Sequence, residues 1–174
     1  MSVLPTPFQT IGPFYGEALP FEGGAALAPP GHPDAITLHG HVYDGAGDPV
    51  PDALLEFWQP APDGSRTGRP GSLARNGVDF TGFGRVPTDA AGHWAIRTLA
   101  PGSVPYLAVA VFARGLPHHL FTRVYLREAA DPLLDALEPE RRRTLLAAPD
   151  PDAGGYRFDV RLQGEGETVF LAFH

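Results

Sequence analysis

Ala35-Ile36-Thr37-Leu38-His39-Gly40-His41-Val42-Tyr43 alternates along its length. Ile36, Leu38 and Val42 share one face, and Thr37, His39, His41 and Tyr43 the other, the period-two pattern of a half-buried strand. Asp44-Gly45-Ala46-Gly47-Asp48-Pro49 is a turn string, and Ala53 to Trp58 reads as a second strand.

The same grammar continues outward. Gly84-Arg85 opens a hairpin with Thr88-Asp89-Ala90-Ala91-Gly92 as its turn and His93 to Leu99 as the return strand. Ala100-Pro101-Gly102 breaks the chain. Two strongly apolar strands follow, Tyr106 to Ala113 and Leu120 to Leu126, separated by Arg114-Gly115-Leu116-Pro117. Tyr156 to Leu162 and Thr168 to Phe173 read as a closing strand pair. About seven or eight short strands with regular turn signals predict an all-β fold, a β-sandwich. One helix is expected, with Asp131 as N-cap and Pro132 at the first helical position, running to about Leu146. Its Arg141-Arg142-Arg143 run reads as a solvated last turn that suits the helix dipole.

Residues 1–34 form a Pro- and Gly-rich arm without periodicity, and residues 35–174 are expected to form the sandwich as a single domain, a size ordinary for one core. Between Pro60 and Gly84 runs a Gly/Pro/Asp-rich loop, longer than connection requires, and such loops tend to be functional.

Composition excludes several classes. The net charge is −7 and the strong bases are all Arg, with no basic stripe for nucleic acid. No apolar run approaches the roughly 18 residues of a membrane span. The first residues do not read as a secretory signal, and cysteine is absent, so a cytoplasmic location is expected.

Few residues carry chemistry. His39-x-His41 places two imidazoles on one strand face, a spacing that metal sites use and that the solvent face of an amphipathic strand also produces. His118 and His119 are adjacent, so in a strand they point to opposite faces and cannot chelate simply. There is no Ser-His-Asp order, Gly-rich phosphate loop or zinc signature. Arg114 follows the most apolar strand and precedes Gly115. It stands where a guanidinium can clamp a carboxylate, or where a rim arginine joins a structural ion pair.

Four segments together resemble the intradiol ring-cleaving dioxygenase family. Gln9-Thr10-Ile11-Gly12-Pro13-Phe14 is similar to the entry of its arm, and Leu55-Glu56-Phe57-Trp58-Gln59 to its L-E-x-W-Q strand. Residues 111–125 and 156–170 resemble the alpha subunits of the two-chain branch that cleaves 3,4-dihydroxybenzoate with O2. The resemblance runs over nearly the whole chain in consistent order. It implies a sandwich of the intradiol type, with one short helix and an extended arm.

Members of that family hold a non-haem Fe(III) with two Tyr and two His, in which the phenolates stabilise the ferric state. This chain departs there. Gly64-Ser65 is followed by Arg66 where the first Tyr belongs, Ser103-Val104-Pro105 carries no second Tyr, and Tyr106-Leu107-Ala108 stands where the His-x-His pair belongs. The resemblance therefore implies an alpha chain that binds no metal itself, paired with a homologous beta subunit that binds Fe(III), in a protomer that oligomerises further. It implies no catalytic residue here. Thr10, Gly12, Pro13 and Arg114 would line the substrate pocket, Arg114 beside the benzoate carboxylate. A non-catalytic binding module descended from a dioxygenase is the alternative.

Overall fold

The computed structural model describes residues 9, 10, 12, 14–65 and 73–173. Its elements in order are α1 (Tyr15–Ala18), β1 (Ala35–Tyr43), β2 (Leu54–Trp58), β3 (Phe83–Pro87), β4 (His93–Leu99), β5 (Tyr106–Phe112) and β6 (Leu120–Tyr125), then α2 (Pro132–Asp135), α3 (Pro139–Arg143), β7 (Ala148–Asp150), β8 (Gly155–Arg157) and β9 (Val160–Arg161). The strands form two sheets. One has the order β4-β1-β8-β7, with β9 also paired to β1, and the other the order β3-β2-β5-β6.

The alternation in β1 does what its pattern predicts: Leu38 and Val42 are fully buried. Trp94 and Ile96 from β4 join them, facing Leu55 and Phe57 of β2 and Leu107, Val109 and Val111 of β5 across the core. The Phe57 and Trp94 rings meet 4.9 Å apart between the layers. Burying each such side chain contributes roughly 1.5–3 kcal/mol. A buried polar clamp crosses the layers at one end. Thr98 Oγ1 donates to Gln59 Oε1 at 2.8 Å, and Gln59 Nε2 donates to the Leu99 carbonyl at 3.0 Å. Both side chains are thereby satisfied, as buried polar groups must be.

The expected β3–β4 hairpin is not one. β3 pairs with β2, and β4 with β1, so the turn at 88–92 carries the chain from one sheet to the other. Val86 and Trp94 both point into the core, so these consecutive strands lie face to face. The C-terminal strand pair is also corrected. β8 and β9 each run parallel to β1, and 168–173 forms no strand, touching β6 by one bridge between Phe121 and Leu171. Alternation shows which face of a strand is apolar, not which neighbour it pairs with.

The helix begins as expected, with the Asp131 carboxylate accepting from Leu133 N–H at 2.8 Å. It ends at Asp135, and a second short helix starts at Pro139. Proline lacks an N–H and disfavours helical backbone in the residue before it, so the two turns cannot fuse. The Arg run is the last turn of α3, with Arg141 near Glu167 and Arg142 near Glu128. α1 and β7 were not anticipated, being four and three residues long.

The long loop is pinned at its far end. Arg75 Nε donates to the Ala26 carbonyl at 3.0 Å and its Nη2 to that of Phe83 at 2.7 Å, with the guanidinium 5.0 Å from the Phe21 ring. Burial lowers the Arg75 pKa. Arm, loop and the edge strand β3 are thus tied by one side chain. Among the described residues no helix is long and apolar enough to cross a membrane.

Candidate functional site

β5 has a different neighbourhood at each end. At its start lies a cavity of about 240 Å³ lined by Trp58, Phe80, Val104, Tyr106 and Ala108, with Ser65 at its side. The segments that the resemblance marks as ligand-bearing converge here. A side chain on Gly102 would overlap the Pro62 carbonyl, and one on Gly64 the Ser103 hydroxyl, so the two loops press on each other.

The donor set does not fit a ferric ion. Positions 104 and 108 carry Val and Ala, and Tyr106 is the lone phenol among the cavity residues named. The Tyr106 ring lies 4.0 Å from the Arg123 guanidinium, which also bridges to Asp131 at 3.2 Å. A cation there opposes a second one. Arg66 lies outside the described residues.

At the other end, just past Phe112, the chain turns through Arg114 and Gly115. Arg114 Nε makes an ion pair with Asp52 Oδ2 at 2.8 Å, with the arginine side chain 58% exposed and the aspartate 17%. The Thr10 hydroxyl accepts from Gly115 N–H at 2.6 Å, across 105 positions of sequence. The Tyr15 ring meets that of Phe112 at 5.5 Å, which seats α1 on the strand end. Arm and turn therefore meet, and two of the sequence-predicted site residues, Thr10 and Arg114, come together. Gly12 is exposed, and a Cβ there would touch nothing within 4 Å. Pro13 lies outside the described residues.

The ion pair with Asp52 is the rim-arginine arrangement that the sequence allowed for Arg114. Asp52 carried no sequence signal beyond a turn residue after Val50-Pro51.

The histidines face other partners. His39 Nε2 lies 2.9 Å from Asp150 Oδ2, and His41 Nδ1 3.7 Å from Asp159 Oδ1. The face expected to be solvated is thus half covered by carboxylates at the end of β7 and just after β8. Among the described residues no group of three or more His, Cys, Asp or Glu side chains could hold a metal ion. His119 packs between Phe112 and Phe121, with ring centroids 5.2 and 4.5 Å away.

Comparison with known proteins gives consistent matches. A family model described as Dioxygenase matches residues 11–110. The chain is 40% identical to the protocatechuate 3,4-dioxygenase alpha chain of Burkholderia cepacia, over 95% of this chain and 96% of that one. It is 29% identical to the beta chain of the same organism, over 78% of this chain and 67% of that one. Among solved structures, the dioxygenase domain of a carbohydrate-binding fusion from Streptomyces sp. SirexAA-E superposes with a TM-score of 0.59 at 27% identity, covering 92% of this chain and 99% of that one.

Proposed function

This chain belongs to the dioxygenase family of intradiol ring-cleaving enzymes, and from that premise we propose that it is the alpha subunit of a protocatechuate 3,4-dioxygenase. The reaction is cleavage of 3,4-dihydroxybenzoate by O2 between its hydroxyl-bearing carbons, giving 3-carboxy-cis,cis-muconate. Fe(III) and the oxygen chemistry reside on a homologous beta subunit, and the alpha–beta protomer assembles further in the cytoplasm.

The observation that carries this reading is the separation of the two ends of β5. Ala108 in the cavity wall lies four residues before Phe112, the end of β5, roughly 13 Å of extended strand, and Arg114 stands in the turn beyond. An arginine side chain does not span that distance. Arg114 is not among the residues that line its own chain's cavity, which supports a role for it in a site completed by another chain. The similarity to a beta chain supports a partner built on the same fold.

In that arrangement Thr10, Gly12 and Pro13 wall the partner's pocket, and the Arg114 guanidinium faces the benzoate carboxylate. A guanidinium gives a planar two-point match to a carboxylate, a feature that plain catechol lacks. Gly12 supports this placement, because nothing described in its own chain requires the missing side chain there. A drifted binding module is not favoured: the likeness to alpha chains spans nearly the full length of both proteins.

The test is to tag the chain in its native cells, purify what accompanies it, and measure iron and the visible spectrum. A red-brown complex with a second chain and about one iron per pair is the expected result, from tyrosinate-to-Fe(III) charge transfer. A colourless protein, alone or paired with itself, overturns the assignment.

A further inference from the structure

The geometry points to Asp52 as the positioning residue that restrains the Arg114 side chain for the substrate carboxylate, an inference that rests on the proposed role of Arg114. The Asp52 Oδ2 lies 2.8 Å from Nε of the guanidinium, an ion pair that draws the arginine side chain toward the aspartate.

Two features separate this contact from an incidental surface ion pair. First, the Asp52 Oδ1 is buried and has no hydrogen-bond partner. A carboxylate with one oxygen desolvated and unpaired is a cost that a pair as exposed as Arg114 does not repay in stability. The residue thus contributes little to the fold through this contact, while its charge keeps the guanidinium beside it. Second, the segment bearing Asp52 is held rigidly. The buried Thr88 hydroxyl donates to the Val50 carbonyl at 2.7 Å and accepts from Ala53 N–H at 3.0 Å. Thr88 N–H in turn donates to the Ala53 carbonyl at 2.9 Å. The aspartate is clamped from both sides in sequence by a residue of the adjoining turn.

The consequence is selective. Without the Asp52 charge, Arg114 keeps its own charge but samples many rotamers, so a carboxylate ligand must order it on binding. The loss falls on the recognition of carboxylated rings and leaves bond cleavage untouched.

The experiment uses the intact alpha–beta complex carrying Asp52→Asn, which is isosteric. The KM for 3,4-dihydroxybenzoate is expected to rise roughly fivefold with kcat unchanged. The inhibition constant of 4-methylcatechol, a ring of similar size without a carboxylate, stays within twofold of the parent. Asp52→Glu, which keeps the charge, recovers part of the loss. In an Arg114→Ala background, Asp52→Asn has no further effect on KM, because there is nothing left to orient.

The controls separate two failures. If Arg114→Ala alone leaves KM unchanged, the reading of Arg114 itself is wrong. If Arg114→Ala raises KM and Asp52→Asn does not, the positioning role is wrong. Equal loss of affinity for both rings after Asp52→Asn assigns the residue to structure and also overturns the inference.

Discussion

At its first residue β5 borders an apolar cavity, walled by Trp58, Phe80, Val104 and Ala108. Just past its last residue, Arg114, Asp52 and Thr10 hold a charged corner together over long stretches of sequence. The strand between them has the same core-facing packing throughout, Leu107, Val109 and Val111 being buried. One scaffold can thus carry an apolar cavity at one end and an organised polar cluster at the other. Packing of the core and chemistry at the strand ends are separable, because the core needs only β5's inward face.

The comparison breaks most directly at Arg114. In the alpha–beta complex, Arg114→Ala is expected to raise the KM for 3,4-dihydroxybenzoate roughly thirtyfold, about 2 kcal/mol, the usual worth of a hydrogen bond to a charged group. Steady-state kinetics with the variant checks this, and an unchanged KM sinks the assignment of the corner to substrate.

Thr10→Val is the next in size. It removes the acceptor of Gly115 N–H and unlatches the arm from the turn. A loss of about 1 kcal/mol, or roughly fivefold in KM, is expected, with kcat within twofold. Proteolysis of the arm should accelerate in parallel. A variant that binds substrate normally would show that the arm is held by other contacts.

The cavity end should behave in the opposite way. Ala108→Val adds two methyl groups to a space of about 240 Å³. Turnover by the complex should not change, and the melting temperature should stay level or rise by about 1–2 °C, as cavity filling commonly gives. A large fall in activity would reconnect the cavity to catalysis and erase the contrast.

The smallest effect lies in the other sheet. Burial, followed by the neighbouring His41, lowers the His93 pKa from 6.5, against the opposing pull of Asp89; His39 and Arg157 push the same way as His41. The unfolded chain therefore binds the proton more readily, and stability contributed by neutral His93 falls as pH drops below about 6.5. Asp89 and Asp150, lowered from 3.8, lose their contribution only in stronger acid. His93→Gln should flatten the decline in melting temperature between about pH 7 and 5.5. Equal slopes for the two proteins would remove His93 as the cause.

Strand positions in the sandwich could be read from alternation because burial on one face imposes it: β1 and β4 have the bounds the pattern predicts. Pairing could not. Val86 and Trp94 look like two strands of one hairpin until the Thr88–Ala53 contacts show the chain crossing between sheets. The helix failed at Pro139, a breaker already visible in the sequence and outweighed by the periodicity around it. The site divides likewise. Arg114 stood out at a strand end beside a glycine, whereas Asp52 looked like any turn residue.

By itself the sequence determined the all-β class, the inward and outward faces of the main strands, and the family. These follow from residue type and local period, which need no knowledge of distant neighbours. Only the tertiary structure decided that β8 and β9 lie parallel to β1, that the loops carrying Gly64 and Gly102 press together, and that Thr10 and Asp52 converge on the 114–115 turn. Those are contacts between residues far apart in the chain, set by how two twisted sheets stack, and no local pattern in the sequence encodes them.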